Sequence, residues 1–171
     1  LGGYDGLCYQ IVIVFGASAE RLQRWVDEGS GAAKLFQRFF ADAPEGVLPS
    51  SGDTDIKERL KLLPKVDNMK SLGLSVVEKY NGKPALLTKS GSIHRGDDYI
   101  ELGMNTFRFG YITKKGVSTI FHKIKDMDFH AAITLEGRKD EELPEQVLCA
   151  VRIKNMDLTA IAPEVDEALG D

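Results

Sequence analysis

Residues 97–158, DDYIELGMNTFRFGYITKKGVSTIFHKIKDMDFHAAITLEGRKDEELPEQVLCAVRIKNMDL, decide the fold of this chain. Four elements are predicted within them: a strand at 98–104, a helix at 107–125, and strands at 129–136 and 146–153. In both later strands apolar residues recur at every second position, which is typical of a strand with one buried face. The connection between them is short, and this favours antiparallel pairing.

The sequence upstream adds further elements of the same two kinds. Strands are predicted at 8–15, 59–63, 74–80 and 83–88, and helices at 19–28 and 32–40. Asn81-Gly82 is a hairpin signal between the last two strands. Residues 42–55 are predicted to form a long loop, and residues 159–171 a loosely ordered tail. We therefore expect a single α+β domain, in which a curved and mostly antiparallel sheet wraps the helix at 107–125, as in START and hot-dog folds.

The predicted helix at 107–125 has an apolar face, because apolar residues repeat along it at three- and four-residue steps. Gly110 and Gly116 each cost such a helix about 1 kcal/mol relative to alanine. We attribute them to close packing on the sheet or to the approach of a ligand. A ligand pocket between the helix and the sheet is predicted to be lined by Leu102, Met104, Phe109 and Ile112.

The predicted helix at 32–40 places four large apolar residues on one face. They are Leu35, Phe36, Phe39 and Phe40. Packing against the sheet is one interpretation of this face. The other is an exposed surface that binds a partner protein.

Composition indicates an ordinary globular domain. Hydrophobic residues make up 43% and charged residues 28% of the 171 positions. The net charge of −4 and the pI near 5.5 argue against nucleic-acid binding, which usually needs a basic stripe. No apolar run approaches the roughly 20 residues of a membrane-spanning helix. Because the sequence has no Asn-x-Ser/Thr site, we expect an intracellular location, cytoplasmic or organellar, and peripheral to a membrane if membranes are involved.

No catalytic or metal-binding constellation is visible in the sequence. Its three histidines, His94, His122 and His130, fall on different predicted elements, and none has a partner at metal-ligand spacing. The two cysteines, Cys8 and Cys149, lie in apolar strand patterns and are predicted to be free and buried. Glutamates at 141, 142 and 145 are interpreted as a solvated loop. We expect a protein that is not an enzyme and needs no cofactor.

Five segments of the chain nevertheless resemble one known family when taken in order. They are RLKLLP at 59–64, GKPALL at 82–87, DDYIEL at 97–102, ELPEQVL at 142–148 and AVRI at 150–153. Together they resemble the C-terminal domain of the plant "enhanced disease resistance 2" proteins, over residues 7–158. In those plant proteins the domain follows a pleckstrin-homology and a START domain, and we expect neither in this chain.

The resemblance implies a role in lipid and membrane signalling. We therefore expect a non-catalytic domain that binds a lipid or another hydrophobic ligand, with a structural or accessory subunit of a larger assembly as the alternative. The helix at 107–125 departs from the family, in which it is strongly apolar, because here it carries Arg108, Lys114, Lys115 and Lys123.

Overall fold

Two antiparallel sheets form the framework of the protein. The structure, a computed structural model, describes residues 12–43, 46–47, 56, 58–97, 99–157 and 160. The larger sheet has the order β3–β2–β6–β7. Its strands are β2 (Leu60–Val66), β3 (Ala85–Leu86), β6 (Asp128–Leu135) and β7 (Val147–Lys154). The strands predicted around residues 60, 130 and 150 are thereby confirmed.

Strand β2 continues through Pro64, where the sequence pattern predicts its end. Pro64 faces Ala131 of β6 in the ladder, and its carbonyl accepts a 2.9 Å hydrogen bond from the Gly82 N–H on the opposite side. In antiparallel pairing the N and O of one residue point the same way. The ring nitrogen of Pro64 therefore points away from β6, and the ladder loses no donor.

The smaller sheet has the order β1–β4–β5. Its strands are β1 (Gly46–Val47), β4 (Gly91–Arg95) and β5 (Ile100–Met104). The strand predicted at 98–104 is confirmed as β5. The guanidinium of Arg95 donates to the carbonyls of Phe40 and Ala43, at 3.1 and 2.6 Å, and so ties β4 to the end of a helix.

Two helices precede the sheets, as the sequence predicts, and the structure shows that a serine caps each of them. They are α1 (Ala19–Asp27) and α2 (Gly31–Asp42). The side chain of Ser18 accepts from the Arg21 N–H, and that of Ser30 from the Ala33 N–H. Each serine satisfies a backbone donor that the first turn of a helix leaves without an intrahelical partner.

The main hydrophobic core lies under α2 and joins the two sheets. Leu35 and Phe39 of α2 pack there with Leu60 and Leu135 of the larger sheet and Ile93 of the smaller one. All five side chains are buried. The helix on which the sheets are packed is therefore α2.

The prediction of a single long helix at 107–125 is wrong. The segment forms a 3₁₀ turn at Thr106–Arg108, helix α4 at Tyr111–Phe121 and a second 3₁₀ turn at Ile124–Asp126. Gly110 is the N-cap of α4, with extended backbone, so it does not lie in a helix interior. A Cβ at Gly110 would meet nothing within 4 Å, and one at Gly116 would make only an ordinary 3.6 Å contact with Val77. Close packing therefore does not explain either glycine.

Helix α4 lies beside a second, smaller hydrophobic cluster. Val66, Met69, Leu74, Val77 and Met127 form this cluster, and Ile120 of α4 packs against it. The protein is thus a single α+β domain with antiparallel sheets, as predicted. The START-like arrangement, which needs one long helix gripped by a sheet, is not confirmed.

The prediction of a strand at 74–80 is also wrong. Its residues form a turn and the short helix α3 (Ser75–Glu78). Asn81 does not close a hairpin, because its side chain bonds both the N–H and the carbonyl of Val66, at 2.7 and 2.8 Å. Leu74 and Val77 are buried at helical spacing, so the apolar run fills the second cluster without entering a sheet.

The apolar run predicted as a strand at 8–15 has no strand in its described part. Residues 12–15 have no regular secondary structure, and Val12 and Val14 are 71% and 88% exposed. Residues 8–11 lie outside the described residues, as do most of the predicted loop at 42–55 and most of the tail at 159–171.

Candidate functional site

The four residues predicted to line a ligand pocket are not gathered around one. Leu102 is half-buried against the main core, Phe109 is half-buried, and Met104 is 43% exposed. The side chain of Ile112 lies outside the described part of the structure. The two best-formed pockets among the described residues have none of the four in their walls.

The larger of these pockets is an open groove of about 340 Å³ beside the turn that follows β2. Its polar side chains already have protein partners. Asn68 donates to the Asp126 carbonyl and accepts from the Asp128 N–H, and Asn81 is held by Val66. The polar side chains that could orient a ligand in the groove are therefore already bonded within the protein.

The four residues of the predicted partner-binding face divide into two pairs. Leu35 and Phe39 are 3% and 0% exposed and belong to the core, as the packing interpretation expects. Phe36 and Phe40 are half-buried and pack edge-to-face, with ring centroids 4.4 Å apart. Only this second pair offers any surface to a partner.

Exposed apolar side chains are frequent from Tyr99 to Tyr111, along β5, the 3₁₀ turn after it and the start of α4. We call the part at residues 104–115 the aromatic–basic surface. Its exposed apolar side chains are Met104, Phe107 and Tyr111. Asn105 holds the turn that presents Phe107, because its side chain accepts from the Phe107 N–H at 2.9 Å.

Helix α4 contributes one solvent-exposed face to this surface. Tyr111, Lys114 and Lys115 are three and four residues apart and share a face, and all three are exposed. Tyr111 is 80% exposed, the largest value for any aromatic side chain described. Ile120, on the opposite side of the helix from Tyr111, packs on the second cluster. The helix is therefore held by its apolar side and exposes an aromatic and two cations.

The charge of this segment opposes the charge of the whole chain. Residues 105–125 contain five Lys and Arg residues and no Asp or Glu, whereas the chain has a net charge of −4. Among the described residues, neither Lys114 nor Lys115 takes part in an ion pair, and both remain accessible. The surface thus combines local positive charge with exposed aromatic rings.

A second charged group lies on one face of the larger sheet. Asp67, Asp128 and His130 bring their ligand atoms within 4.8 Å of one another, a spacing that could hold a metal ion. Cations of the protein already contact both carboxylates. Lys65 lies 2.6 Å from Asp67, and Arg152 binds Asp128 through two hydrogen bonds of 2.7 and 2.6 Å.

These contacts favour the charged form of each carboxylate. Hydrogen bonds from Lys65 and then His130 hold the pKa of Asp67 below its usual value. Arg152, with help from Lys154, holds the pKa of Asp128 well below its usual range. Because the negative charge is balanced within the protein, we interpret the group as an ion-pair network on the sheet.

A third charged group is buried, and sequence reasoning missed it. Glu142, predicted to be solvated, is only 7% exposed, and its Oε2 lies 2.5 Å from Nη1 of Arg59. Burial alone raises the pKa of Glu142, but the Arg138 N–H and the Arg59 guanidinium outweigh it and hold the pKa below its usual value. Lys61, two residues along β2, pairs with Glu145 at 2.8 Å.

These pairs join two of the segments that carry the family resemblance. RLKLLP supplies Arg59 and Lys61, and ELPEQVL supplies Glu142 and Glu145. Gln146, in the same segment, accepts a 2.9 Å hydrogen bond from the Trp25 indole of α1. The two segments therefore hold the sheet and the helices together, which is a structural role.

The geometry defines a small α+β domain with a packed core and an aromatic–basic surface at one side. A sequence profile of the family described as "Protein ENHANCED DISEASE RESISTANCE 2, C-terminal" matches residues 6–157. The chain belongs to this family. No curated protein and no solved structure matches it. Among the described residues, no helix is long and apolar enough to cross a membrane.

Proposed function

We propose that this domain is a non-catalytic module that binds lipid at the surface of an anionic membrane. The observation that carries the proposal is the aromatic–basic surface. Exposed aromatic side chains and lysines are the residues that sit at the boundary between headgroups and acyl chains, where the ring is half-buried and the ammonium reaches the phosphates.

The charge pattern supports an anionic membrane as the target. A basic residue near such a surface contributes about 1 kcal/mol of attraction, which decays over the Debye length of about 8 Å at physiological salt. Lys114 and Lys115 are adjacent and both exposed on α4, so their contributions act together. The acidic remainder of the chain favours one orientation, with the aromatic–basic surface toward the membrane.

The described interior supports surface binding over an enclosed lipid pocket. Leu102, one of the predicted lining residues, packs against the main core, and Met104 is exposed on the aromatic–basic surface itself. Anionic lipids are concentrated in the cytoplasmic leaflet. The proposal therefore places the domain inside the cell, peripheral to a membrane.

Vesicle binding tests the proposal directly. Purified protein is mixed with phosphatidylcholine vesicles that contain or lack phosphatidylserine, and binding is measured by co-sedimentation at low and physiological salt. We expect binding only to the anionic vesicles, and weaker binding at the higher salt. Lys114→Glu with Lys115→Glu should reduce the affinity at least about tenfold, since two attractive charges become repulsive.

Two further variants separate the contributions of charge and of the aromatic ring. Lys83→Glu with Lys89→Glu makes the same charge change at exposed positions outside the surface, and this control should keep most of the binding. Tyr111→Ala removes the most exposed ring without changing charge, and should weaken binding at both salt concentrations. The proposal would be overturned if the two charge variants bound anionic vesicles with equal affinity. It would also be overturned if the wild-type protein did not bind anionic vesicles.

A partner protein is the second candidate target, and one observation favours it. Phe36 and Phe40 remain half-buried at the margin of the main core, with Trp25 packed against Phe36 at a centroid distance of 5.0 Å. Aromatic side chains of this kind are enriched in protein interfaces. Affinity purification with Phe36→Ala beside the wild type tests it: loss of a specific partner supports an accessory subunit, and unchanged partners exclude this face.

A further inference from the structure

Strand β7 is the longest open edge in the described part of the structure. It has eight residues, and β6 is its only described ladder partner. Of the other edge strands, β1 and β3 have two residues each and β5 has five, and Pro84 adjoins β3. Short edges and prolines limit edge-to-edge pairing. Strand β7 has neither of these devices.

The outer edge of β7 is apolar in its first part. Residues 147–151, VLCAV, carry no charge, and Val147 is 57% exposed. The basic residues of β7 come later, and Arg152 and Lys154 are both bound to Asp128 of the neighbouring strand. An added strand would therefore meet apolar side chains and no unpaired cation over residues 147–151.

The segment at 12–15, VIVF, has the sequence of a strand but no strand partner in the described part of the structure. It consists of three β-branched residues and a phenylalanine, the residue types most enriched in strands. All four side chains are exposed, from 40% for Ile13 to 88% for Val14. Among the described residues, no backbone hydrogen bond involves residues 12–15. One part of the chain is thus a strand sequence without a sheet, and another is a sheet edge without a strand.

We propose that residues 12–15 of one copy of this protein pair with the edge of β7 in a second copy. The exchange is reciprocal, so the dimer has two identical strand additions and closed twofold symmetry. Backbone hydrogen bonds join each pair of strands, and the apolar side chains of 12–15 are buried beside those of β7. A Cβ at Gly16, which follows the segment, would meet nothing within 4 Å, so there is open space where the segment joins the rest of the chain.

Size-exclusion chromatography with light scattering tests the proposal on the full chain over a range of concentrations. We expect a concentration-dependent dimer. Val14→Asp should raise the dimer dissociation constant at least about tenfold, because the change buries a charge in the added strand. Val14 is 88% exposed in the single chain, so the monomer should still fold. The matched control, Leu86→Asp, changes a 41%-exposed residue on β3 and should leave the dimer intact.

Hydrogen exchange gives an independent measurement of the same pairing. In the wild-type dimer the outward amides of 147–151 should be protected, and Val14→Asp should remove that protection while β6 remains protected. A protein that is monomeric at every concentration overturns the proposal. So does a dimer that Val14→Asp leaves unchanged, or a β7 edge whose exchange does not respond to Val14→Asp.

Discussion

At the scale of single residues, the buried pair Arg59–Glu142 joins two distant parts of the chain. Arg59 is 1% exposed, and Glu142 accepts from the Arg138 and Lys139 N–H groups as well as from the guanidinium. Two charges out of water are tolerable only when each satisfies the other. The pair therefore fixes where the loop before β7 lies on β2.

Removal of one partner should destabilise the protein strongly. Arg59→Met removes the buried cation of Glu142 and, among the described residues, leaves only Arg38, which is 3.5 Å away and partly exposed. Breaking a buried pair in this way costs about 3–5 kcal/mol. The free energy of unfolding, measured in urea, should fall by that amount. Replacing both residues, as Arg59→Met with Glu142→Leu, should cost less than the sum of the two single changes.

The exposed pair Lys70–Glu78, with 3.7 Å between its charged atoms, is the matched control. Lys70→Met should change the free energy of unfolding by no more than about 1 kcal/mol, because water screens this pair. If the buried and the exposed pair responded alike, or if the two buried changes were additive, Arg59 and Glu142 would not act as a unit.

At the scale of elements, glycine is required at one helical position and not at another. A Cβ at Gly31, in the first turn of α2, would collide with the carbonyl oxygen of Glu141. The loop that carries Glu142 therefore sits directly on α2, and glycine is required there. Gly116 of α4 has no such neighbour, and Val77 would meet a Cβ only at ordinary contact distance.

Alanine substitution should therefore move stability in opposite directions at these two positions. Gly116→Ala should stabilise the protein by about 0.5–1 kcal/mol, because it removes the entropy cost of glycine within a helix. Gly31→Ala should destabilise it, since backbone must shift. Thermal and urea denaturation of both variants measure the effect. A loss of stability from Gly116→Ala would mean that α4 packs more closely than Val77 indicates.

At the scale of the whole molecule, local patterns predicted elements well and their arrangement poorly. Alternating residues in β6 and β7 and the helical spacing of apolar residues in α1 and α2 are local signals, and the structure has those elements. Both α2 and the segment at 107–125 have an apolar face, so the sequence does not say which one lies in the core. The burial of Glu142 depends on Arg59, 83 residues away, which no local pattern reveals.

The candidate surface was equally hard to predict from sequence. The apolar stripe predicted for the helix at 107–125, with Phe109, Ile112, Ile120 and Ile124, did not include Phe107 and Tyr111, and both of these are exposed. Gly110 at the N-cap breaks the helix between these two residues, and the aromatic rings then lie outside the regular stripe. The absence of acids from 105–125 was a visible signal for this surface, beside the basic residues that depart from the family.

The ion-pair network on the larger sheet and the buried pair Arg59–Glu142 together make the stability of the whole domain sensitive to acid. Asp67, Asp128 and Glu142 all have folded-state pKa values below their usual range. A depressed folded pKa contributes stability above the unfolded pKa, and that stability is lost as the pH falls through the folded value. The urea midpoint should therefore be steady near neutral pH and fall from about pH 4 downward.

Asp128→Asn separates this network from general acid unfolding. The variant should be less stable than the wild type at pH 6, because Arg152 and Lys154 lose their shared carboxylate. It should lose less stability between pH 6 and pH 3, because one of the titrating groups is gone. Asp97→Asn, in the turn before β5 and outside the network, is the control that should keep the wild-type pH dependence. If Asp128→Asn kept the wild-type pH dependence as well, the hydrogen bonds from Arg152 would not persist in solution, and β6 and β7 would be held by their ladder and apolar contacts alone.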